Sequence, residues 1–227
     1  MNIKPIATIH TPFSDKFGVP RQSGLAATKG KIVFEPSYRN PEALRGLEGY
    51  SHIWLIWQFS QSIRNEWSPT VRPPRLGGNK RMGVFATRSP FRPNSLGLSS
   101  VKLLSIDYTP EEGPVLYVEG ADITDNTPIF DIKPYLTYTD SHPDAKCGFA
   151  QDALGYKLRV HYTDGMLEKI PADCRDSLIS ILENDPRPSY HNTAERVYKM
   201  SFHNFTIEFS VENNILTLTN IYLTEER

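Results

Sequence analysis

The chain has 227 residues, and its 25 basic residues nearly balance its 26 acidic ones, which gives a formal net charge of −1. Apolar residues make up 39% of the sequence and charged residues 22%. This composition is typical of a folded globular protein and excludes disordered and fibrous classes. The length allows one large domain, or one domain with a small second one, and a core of its own.

The sequence gives no sign of export or of a membrane segment. No run of 18 apolar residues is present, and the N-terminus lacks the basic-then-apolar pattern of a signal peptide. Cys147 and Cys174 form no CxxC pair and have no histidine at ligand spacing, which argues against a zinc site and a disulfide framework. We therefore expect a cytoplasmic protein without a metal and without a membrane partner.

The near-neutral total conceals a strong charge asymmetry. Between Arg64 and Lys102 there are eight basic residues and one acid, whereas between Asp107 and Asp144 there are nine acids and one base. Like charges gathered this closely need a ligand, a partner or solvent to offset them. The pattern fits a site with both a cationic and an anionic requirement, and it fits equally well two surfaces that pair between subunits.

In chain order, the first part is predicted to consist of short strands. Residues 14–29 form a long loop, of the kind that is either functional or disordered, and residues 40–46 form a helical turn with Pro41 in its first turn. The segment 51–59 is almost wholly apolar, as in a strand buried on both faces, and His52 is interpreted as a core residue. The predicted strands are 3–9, 31–35, 51–59, 82–86, 98–108 and 115–119.

About seven short strands separated by turn signals, with hardly any helix, favour a mainly β fold with an N-terminal closed β-barrel over an alternation of strands and helices. No glycine-rich strand-to-helix turn is present, so a Rossmann-type cofactor site is not expected.

A polar segment at 141–150 predicts a boundary between a barrel domain at 1–145 and a small α+β domain at 150–227. The second domain is predicted to contain a strand at 156–162 and a helix capped by Asp173. A hairpin follows, with strands at 197–211 and 215–223 around Asn213-Asn214. The apolar face of the helix would be Leu178, Ile181 and Leu182.

The segment from Arg72 to Ser99 is the most unusual stretch of the chain. Pro73 and Pro74 fix the backbone, and Gly77 and Gly78 permit conformations that other residues avoid. Arginines held by prolines and glycines are typical of a loop that binds anions. The alternative, a solvated surface hairpin, is open on charge alone.

Four motifs carry a resemblance to a known family: 19–25 (VPRQSGL), 45–54 (RGLEGYSHIW), 72–94 (RPPRLGGNKRMGVFATRSPFRPN) and 122–135 (DITDNTPIFDIKPY). The chain resembles the TrmO/TsaA-like family of S-adenosylmethionine-dependent tRNA methyltransferases. These enzymes act on N6 of threonylcarbamoyladenosine at position 37, beside the anticodon. The resemblance extends to the C-terminal part through the DPRPSY element at 185–190. It implies a β-barrel enzyme that works as a homodimer, with cofactor sites near the subunit interface.

The resemblance also implies site residues, carried over position by position. The implied S-adenosylmethionine-binding residues are Ser23, Gly24, Leu25, Ser60, Gln61, Arg92, Leu103, Asp131, Ile132, Lys133 and Pro134. For the tRNA substrate that the resemblance implies, we expect contacts from residues of suitable charge or stacking chemistry: Arg21, Arg75, Arg81, Arg88, Tyr135 and Arg187. For Arg21, an exposed loop cation without a ligand is an equal alternative.

The chemistry of these roles can be stated in general terms. Methyl transfer requires alignment of nucleophile, methyl group and sulfur. Arg92 or Lys133 could bind the methionine carboxylate, and Asp131 the ribose or the amino group, although a local Asp131–Lys133 ion pair is the plain alternative. Arginines suit the threonyl carboxylate or the RNA phosphates, and Tyr135 or Tyr138 could stack on a base. No catalytic base is named, since the acylated N6–H is already acidic.

Two other functions remain open from the sequence. One is an RNA-binding module without catalysis, and the other is a methyltransferase of this fold with a different substrate. The near-neutral overall charge slightly favours the second, because strong non-specific RNA binders are usually basic.

Overall fold

The computed structural model describes residues 2–73, 80–153, 155–187 and 196–224. Twelve strands and two α-helices are found in these residues, together with several short 3₁₀ turns. The strands are β1 (Ala7–His10), β2 (Lys29–Phe34), β3 (His52–Gln58), β4 (Thr70–Val71), β5 (Met82–Gly83), β6 (Leu96–Thr109), β7 (Gly113–Glu119), β8 (Thr127–Pro134), β9 (Arg159–His161), β10 (Tyr198–Phe202), β11 (Phe205–Glu212) and β12 (Ile215–Leu223), and the helices are α1 (Thr137–Asp140) and α2 (Ala172–Glu183).

Six of these strands close into an antiparallel barrel in the order β1-β2-β7-β6-β3-β8. The barrel interior is filled by apolar side chains from alternate positions of each strand, among them Ile9, Ile32, Ile53, Leu116 and Ile129. A closed sheet has no free edge, so all six strands pair on both sides. The predicted mainly β class with an N-terminal barrel is confirmed.

Strand β3 differs from the prediction in one respect. Ile53, Leu55 and Trp57 are buried, but the residues between them are only partly buried. The strand therefore has one core face and one outer face, and Trp54 on the outer face is only partly covered, by Tyr135 and Asp140. His52 is exposed at the start of β3, where its Nδ1 lies 3.0 Å from Ser51 Oγ, so the prediction of a core histidine is wrong.

Other element boundaries also shift. The first strand begins at Ala7 rather than at Ile3. The predicted strand 82–86 is a two-residue strand, β5, followed by a 3₁₀ turn over Val84–Ala86 in which only Val84 is buried. Among the residues that the structure describes, β5 pairs only with β4.

Trp57 and Gly97 face each other across β3 and β6. A Cβ atom on Gly97 would lie only 2.3 Å from the nearest atom of the Trp57 ring. The indole therefore lies flat on the glycine backbone, and no larger residue fits there without moving the ring.

The second unit is a four-stranded sheet in the order β10-β11-β12-β9, covered by α2. Leu178, Ile181 and Leu182 are buried against it, as predicted. The N-cap position is Pro171, and Asp173 lies within the first turn without capping it, so the predicted cap is wrong. Asp173 still lies in the first turn, where a negative charge suits the helix dipole.

The C-terminal hairpin is confirmed. Asn213 and Asn214 both have positive φ, +48° and +62°, as the favoured two-residue turn between β11 and β12 requires. A further turn at His203-Asn204 divides the predicted strand 197–211 into β10 and β11.

The long loop between β1 and β2 lies between the barrel and the second unit. Phe13 and Ala26 are buried in the core of the second unit. Gly18, at φ +92°, packs so closely on Met200 that a Cβ atom would come within 2.2 Å of its sulfur. Because residues before 145 contribute to the second core, the division into 1–145 and 150–227 stays a prediction.

A buried ion pair in the second unit lies where the long loop contacts that unit. Arg187 donates to both carboxylate oxygens of Asp185, at 2.8 and 3.0 Å, and both side chains are about 10% exposed. Arg21, in the long loop, donates to the backbone carbonyls of Asp185 and Arg187. The loop is thus fixed to the second unit by polar contacts as well as by burial.

Three further observations concern the cysteines, metal sites and membrane-spanning helices. Cys147 and Cys174 are free thiols. Within the described ranges, no three histidine, cysteine or acidic side chains come together as a metal would require. None of the helices in that part of the chain is long and apolar enough to cross a bilayer.

Replacing Gly97 with alanine should destabilise the barrel by about 1–3 kcal/mol, because the added methyl group overpacks the contact with Trp57. Urea unfolding measures the change. Gly83→Ala is the matched control, since a Cβ atom there meets nothing within 4 Å and should alter stability by less than about 0.5 kcal/mol. Equal stability of both variants would contradict the close Trp57–Gly97 contact.

Replacing Arg187 with alanine should lower the free energy of unfolding by on the order of 3 kcal/mol, because it leaves the Asp185 carboxylate buried without its partner. The control is Lys157→Ala, which removes an exposed ion pair with Glu183 worth at most about 1 kcal/mol. Denaturant unfolding of the two variants tests the difference. Similar small losses for both would mean that the Asp185–Arg187 pair is not buried in solution.

Candidate active site

A cavity of about 460 Å³ opens where β3 ends and β6 begins. Its walls come from the long loop at 16–22, the turn at 59–62, the arginine-rich loop at 87–92 and the segment at 122–124. Trp54, Trp57 and Phe59 supply aromatic surface. A concave pocket of this volume with aromatic walls and a few polar groups is typical of a small-molecule site.

The structure brings part of the predicted site together in this cavity. Of the predicted site residues, those that line it are Arg21, Ser60, Gln61, Arg88 and Arg92. Lys16 and Gln22 also line it and were not predicted. Among the lining residues that the structure describes, four are basic and one, Asp122, is acidic.

Hydrogen bonds connect the segments that form these walls. Arg88 donates to Gln22 Oε1 at 2.5 Å, which joins the arginine-rich loop to the long loop. Lys16 donates to the carbonyl of Gln61 at 2.5 Å, and Gln61 donates to the carbonyl of Ser14. The cavity is therefore assembled from segments that are distant in sequence.

Arg92 makes hydrogen bonds to the backbone of the arginine-rich loop that carries it. Its guanidinium donates to the carbonyl of Thr87 at 2.7 Å and, at 3.4 Å, to that of Val84. It also lies 5.9 Å from the centre of the Phe85 ring. A guanidinium carries five N–H donors, so Arg92 has donors left for an anion in the cavity.

A chain of hydrogen bonds ends in the cavity at Asp122. The Trp57 indole N–H donates to Ser99 Oγ at 2.9 Å, and the Ser99 hydroxyl donates to Asp122 Oδ1 at 2.5 Å. Burial raises the pKa of Asp122 above its ordinary value, while hydrogen bonds from Ser99 and the Ser23 amide, and the nearby Arg88 charge, act in the opposite direction.

Asp122 is the first residue of the 122–135 motif, but no role was predicted for it from the sequence. The one signal present in the sequence is an acid between two apolar residues, Ala121 and Ile123, both fully buried here. That context indicates a constrained carboxylate, but not its partners.

Ser23, Gly24 and Leu25 lie behind the cavity wall. The Gly24 amide donates to the carbonyl of Gly120 at 2.9 Å, and the carbonyl of Leu25 accepts from Asn184. They are thus adjacent to the segment that carries Asp122 but do not line the cavity.

The remaining cofactor residues form a second group along the barrel. The Leu103 amide N–H donates to the carbonyl of Ser51, just before the start of β3. The amide N–H of Tyr135, a predicted tRNA contact, donates nearby to the carbonyl of His52. Since a strand rises about 3.3 Å per residue, these contacts lie roughly 20 Å from the end of β3. The rest of the group, Asp131, Ile132, Lys133 and Pro134, pairs with Ile56, Leu55, Trp54 and Ile53.

Within this second group, Asp131 and Lys133 are partners of each other. Lys133 Nζ lies 2.9 Å from Asp131 Oδ2, and both side chains are about half exposed. An exposed pair of this kind contributes little to stability. Tyr135 packs at 5.6 Å from the Trp54 ring and 6.2 Å from the His52 ring.

The predicted RNA contacts are also separated. Arg88 is exposed and in the cavity, whereas Arg81 is exposed beside β5 and outside it. Arg187 is occupied by its buried pair with Asp185. Arg75 lies outside the described residues.

Exposed aromatic side chains lie beside the cavity mouth. Trp67 and Phe85 are 51% and 72% exposed, with ring centres 6.2 Å apart. The Arg64 guanidinium lies 3.6 Å above the Phe91 ring. Aromatic rings mixed with arginines form the kind of surface on which unpaired bases stack.

Two family models match successive parts of this chain. The tRNA-methyltransferase O N-terminal domain matches residues 8–141, and the TrmO C-terminal domain matches residues 156–224. Together they cover the barrel strands and the second unit.

Individual relatives agree with these matches. The chain is 40% identical over 215 residues to the tRNA (adenine(37)-N6)-methyltransferase of Escherichia coli (strain K12), covering 91% of each protein. It is 43% identical over 177 residues to a protein of the same name from Eikenella corrodens, covering 78% of this chain and 99% of the relative. A probable S-adenosyl-L-methionine-binding protein of Methanothermobacter thermautotrophicus is 36% identical over 141 residues, which are 62% of this chain and 94% of that protein.

A solved structure gives the same result. The crystal structure of TrmO from Pseudomonas aeruginosa superimposes with a TM-score of 0.78 at 28% identity and covers 98% of both chains. The resemblance drawn from the sequence motifs is confirmed: the chain belongs to the tRNA-methyltransferase O (TrmO) family.

Proposed function

We propose that this protein transfers a methyl group from S-adenosylmethionine to N6 of threonylcarbamoyladenosine at position 37 of tRNA. The observation that carries the proposal is the cavity at the end of β3, which combines aromatic walls, four basic side chains and one constrained carboxylate. The names of the Escherichia coli and Eikenella corrodens relatives support the same reaction.

The residues of the cavity fit S-adenosylmethionine by their chemistry. Arg92 would bind the carboxylate of the methionine part, and Ser60 and Gln61 offer polar atoms beside it. The aromatic side chains Trp57 and Phe59 would contact the apolar parts of the cofactor. When bound, S-adenosylmethionine supplies an activated methyl group; the protein orients the acceptor and excludes water.

The second group of cofactor residues supports a homodimer. Leu103 and Pro134 lie near the start of β3, too far from Ser60 and Gln61 to touch one cofactor molecule together with them. The outer face of β6 is mixed in character: Leu98 and Leu104 are exposed there, and Ser100 and Lys102 lie between them. We propose that a second copy packs on this outer face, so that the second group of one subunit completes the cavity of the other.

The substrate is tRNA, and we place the protein in the cytoplasm, where tRNA is modified. The ureido-linked threonine carries a carboxylate, for which Arg88 is the exposed cavity arginine. Trp67, Phe85 and the Arg64–Phe91 pair at the mouth would contact neighbouring bases of the anticodon loop.

Mass spectrometry of tRNA nucleosides from cells lacking this protein tests the reaction. We expect methylated threonylcarbamoyladenosine to disappear and the unmethylated nucleoside to accumulate. Wild type and Arg45→Ala, a change at an exposed arginine outside the cavity, should restore it, whereas Arg92→Ala should not. An unchanged nucleoside profile in the deletion strain would refute the proposed function.

Replacing Arg88 with alanine should weaken binding of tRNA that carries threonylcarbamoyladenosine by roughly 10- to 100-fold, the equivalent of one charge-assisted contact. Binding of the same tRNA with unmodified A37 should not change, because it lacks the carboxylate. Titrating both tRNAs into wild type and variant measures the difference. Equal losses for the two tRNAs would mean that Arg88 contacts a phosphate instead.

A further inference from the structure

The hydrogen-bonded series Trp57–Ser99–Asp122 is here called the relay, and its last two members, Ser99 and Asp122, have no part in the binding roles described so far. Ser99 is 1% exposed and Trp57 5%, and the relay ends at a carboxylate on the cavity wall. Because the indole N–H can only donate, it fixes the Ser99 hydroxyl as a donor toward Asp122. The relay therefore holds the Asp122 carboxylate in one orientation.

Asp122 differs in charge from the other ionisable groups around it. The described lining residues include no histidine, cysteine or tyrosine, and the other ionisable ones are Lys16, Arg21, Arg88 and Arg92. Lysine and arginine side chains present only hydrogen-bond donors, so these four offer no acceptor for a proton. Asp122 is thus the one described group on this wall able to take a proton from a bound substrate.

We propose that Asp122 is the proton acceptor of the methyl transfer, and that Ser99 and Trp57 position it. This role rests on the proposed function. In the reaction the N6–C bond forms as the methyl–sulfur bond breaks, and the sulfur keeps that electron pair. The N6 proton moves to the Asp122 carboxylate, and the resulting acid loses it to solvent through the cavity mouth.

The surroundings of Asp122 suit a base. Burial raises its pKa toward the pH at which the enzyme works, which makes the carboxylate a better acceptor than an exposed one. Hydrogen bonds from Ser99 and the Ser23 amide, with the Arg88 charge, act in the opposite direction on the pKa and favour the ionised carboxylate. The other basic residues of the cavity walls are Lys16, Arg21 and Arg92.

Asp122→Asn tests the proposal, because the amide keeps an oxygen for the Ser99 hydroxyl but loses basicity. With tRNA carrying threonylcarbamoyladenosine, kcat should fall by about 10²- to 10⁴-fold while KM stays near the wild-type value. Calorimetric titration with S-adenosylhomocysteine should give an unchanged Kd. The matched control is Asp107→Asn, which makes the same charge change at an exposed position of β6 outside the cavity.

Ser99→Ala tests the positioning role through pH. The Ser99 hydrogen bond stabilises the ionised form of Asp122, so its loss raises the pKa of the carboxylate further. The acid limb of the kcat profile should therefore move to higher pH. A purely structural role for Ser99 would lower kcat equally at all pH values.

The outcomes separate the two hypotheses. If wild type does not methylate the tRNA, the proposed function fails and the role of Asp122 falls with it. If wild type is active and Asp122→Asn has an unchanged kcat, only the proton-acceptor role is overturned. It is likewise overturned if the variant loses cofactor binding in proportion to kcat, since the carboxylate would then bind the cofactor.

Discussion

Strand β3 is hydrogen-bonded along both of its edges, to β6 and to β8, and this double pairing positions the barrel side of the cavity. The pairing to β6 sets the Trp57 indole on Gly97 and brings Ser99 into reach of its N–H. The pairing to β8 fixes where Asp131 and Lys133 lie along the outside of the barrel. Because the barrel is closed, β3 cannot slip by a residue without turning its core face outward.

The walls of the cavity carry both positive and negative charge. Four basic side chains attract an anionic RNA, and the one carboxylate among them is kept out of bulk water. An exposed acid in the same place would be a weaker base and would repel the phosphates more widely. Local chemistry of this kind explains how a chain with a formal charge of −1 can act on RNA.

The sequence was sufficient to predict the barrel and, in the second unit, the hairpin around Asn213-Asn214, because strand length and turn residues are local properties. Site positions carried over from family motifs stay predictions, and the motifs could not predict how the residues are grouped, since Leu103 and Ser60 are separated by the length of β3. The role of Asp122 could not be predicted because its burial arises from three separate segments. Arg187 was predicted to contact RNA, but the structure pairs it with Asp185, two residues away.

The long loop between β1 and β2 has one side in the cavity and the other in the second hydrophobic core, through Phe13, Gly18 and Arg21. The second unit is therefore a scaffold for a wall that it does not itself form. Changes in the packing of the second unit, even at residues without a binding or catalytic role, would alter the affinity of the cavity for its ligands, on the far side of the loop. Natural variation in that unit gives evolution a way to tune the enzyme while every reacting group stays the same.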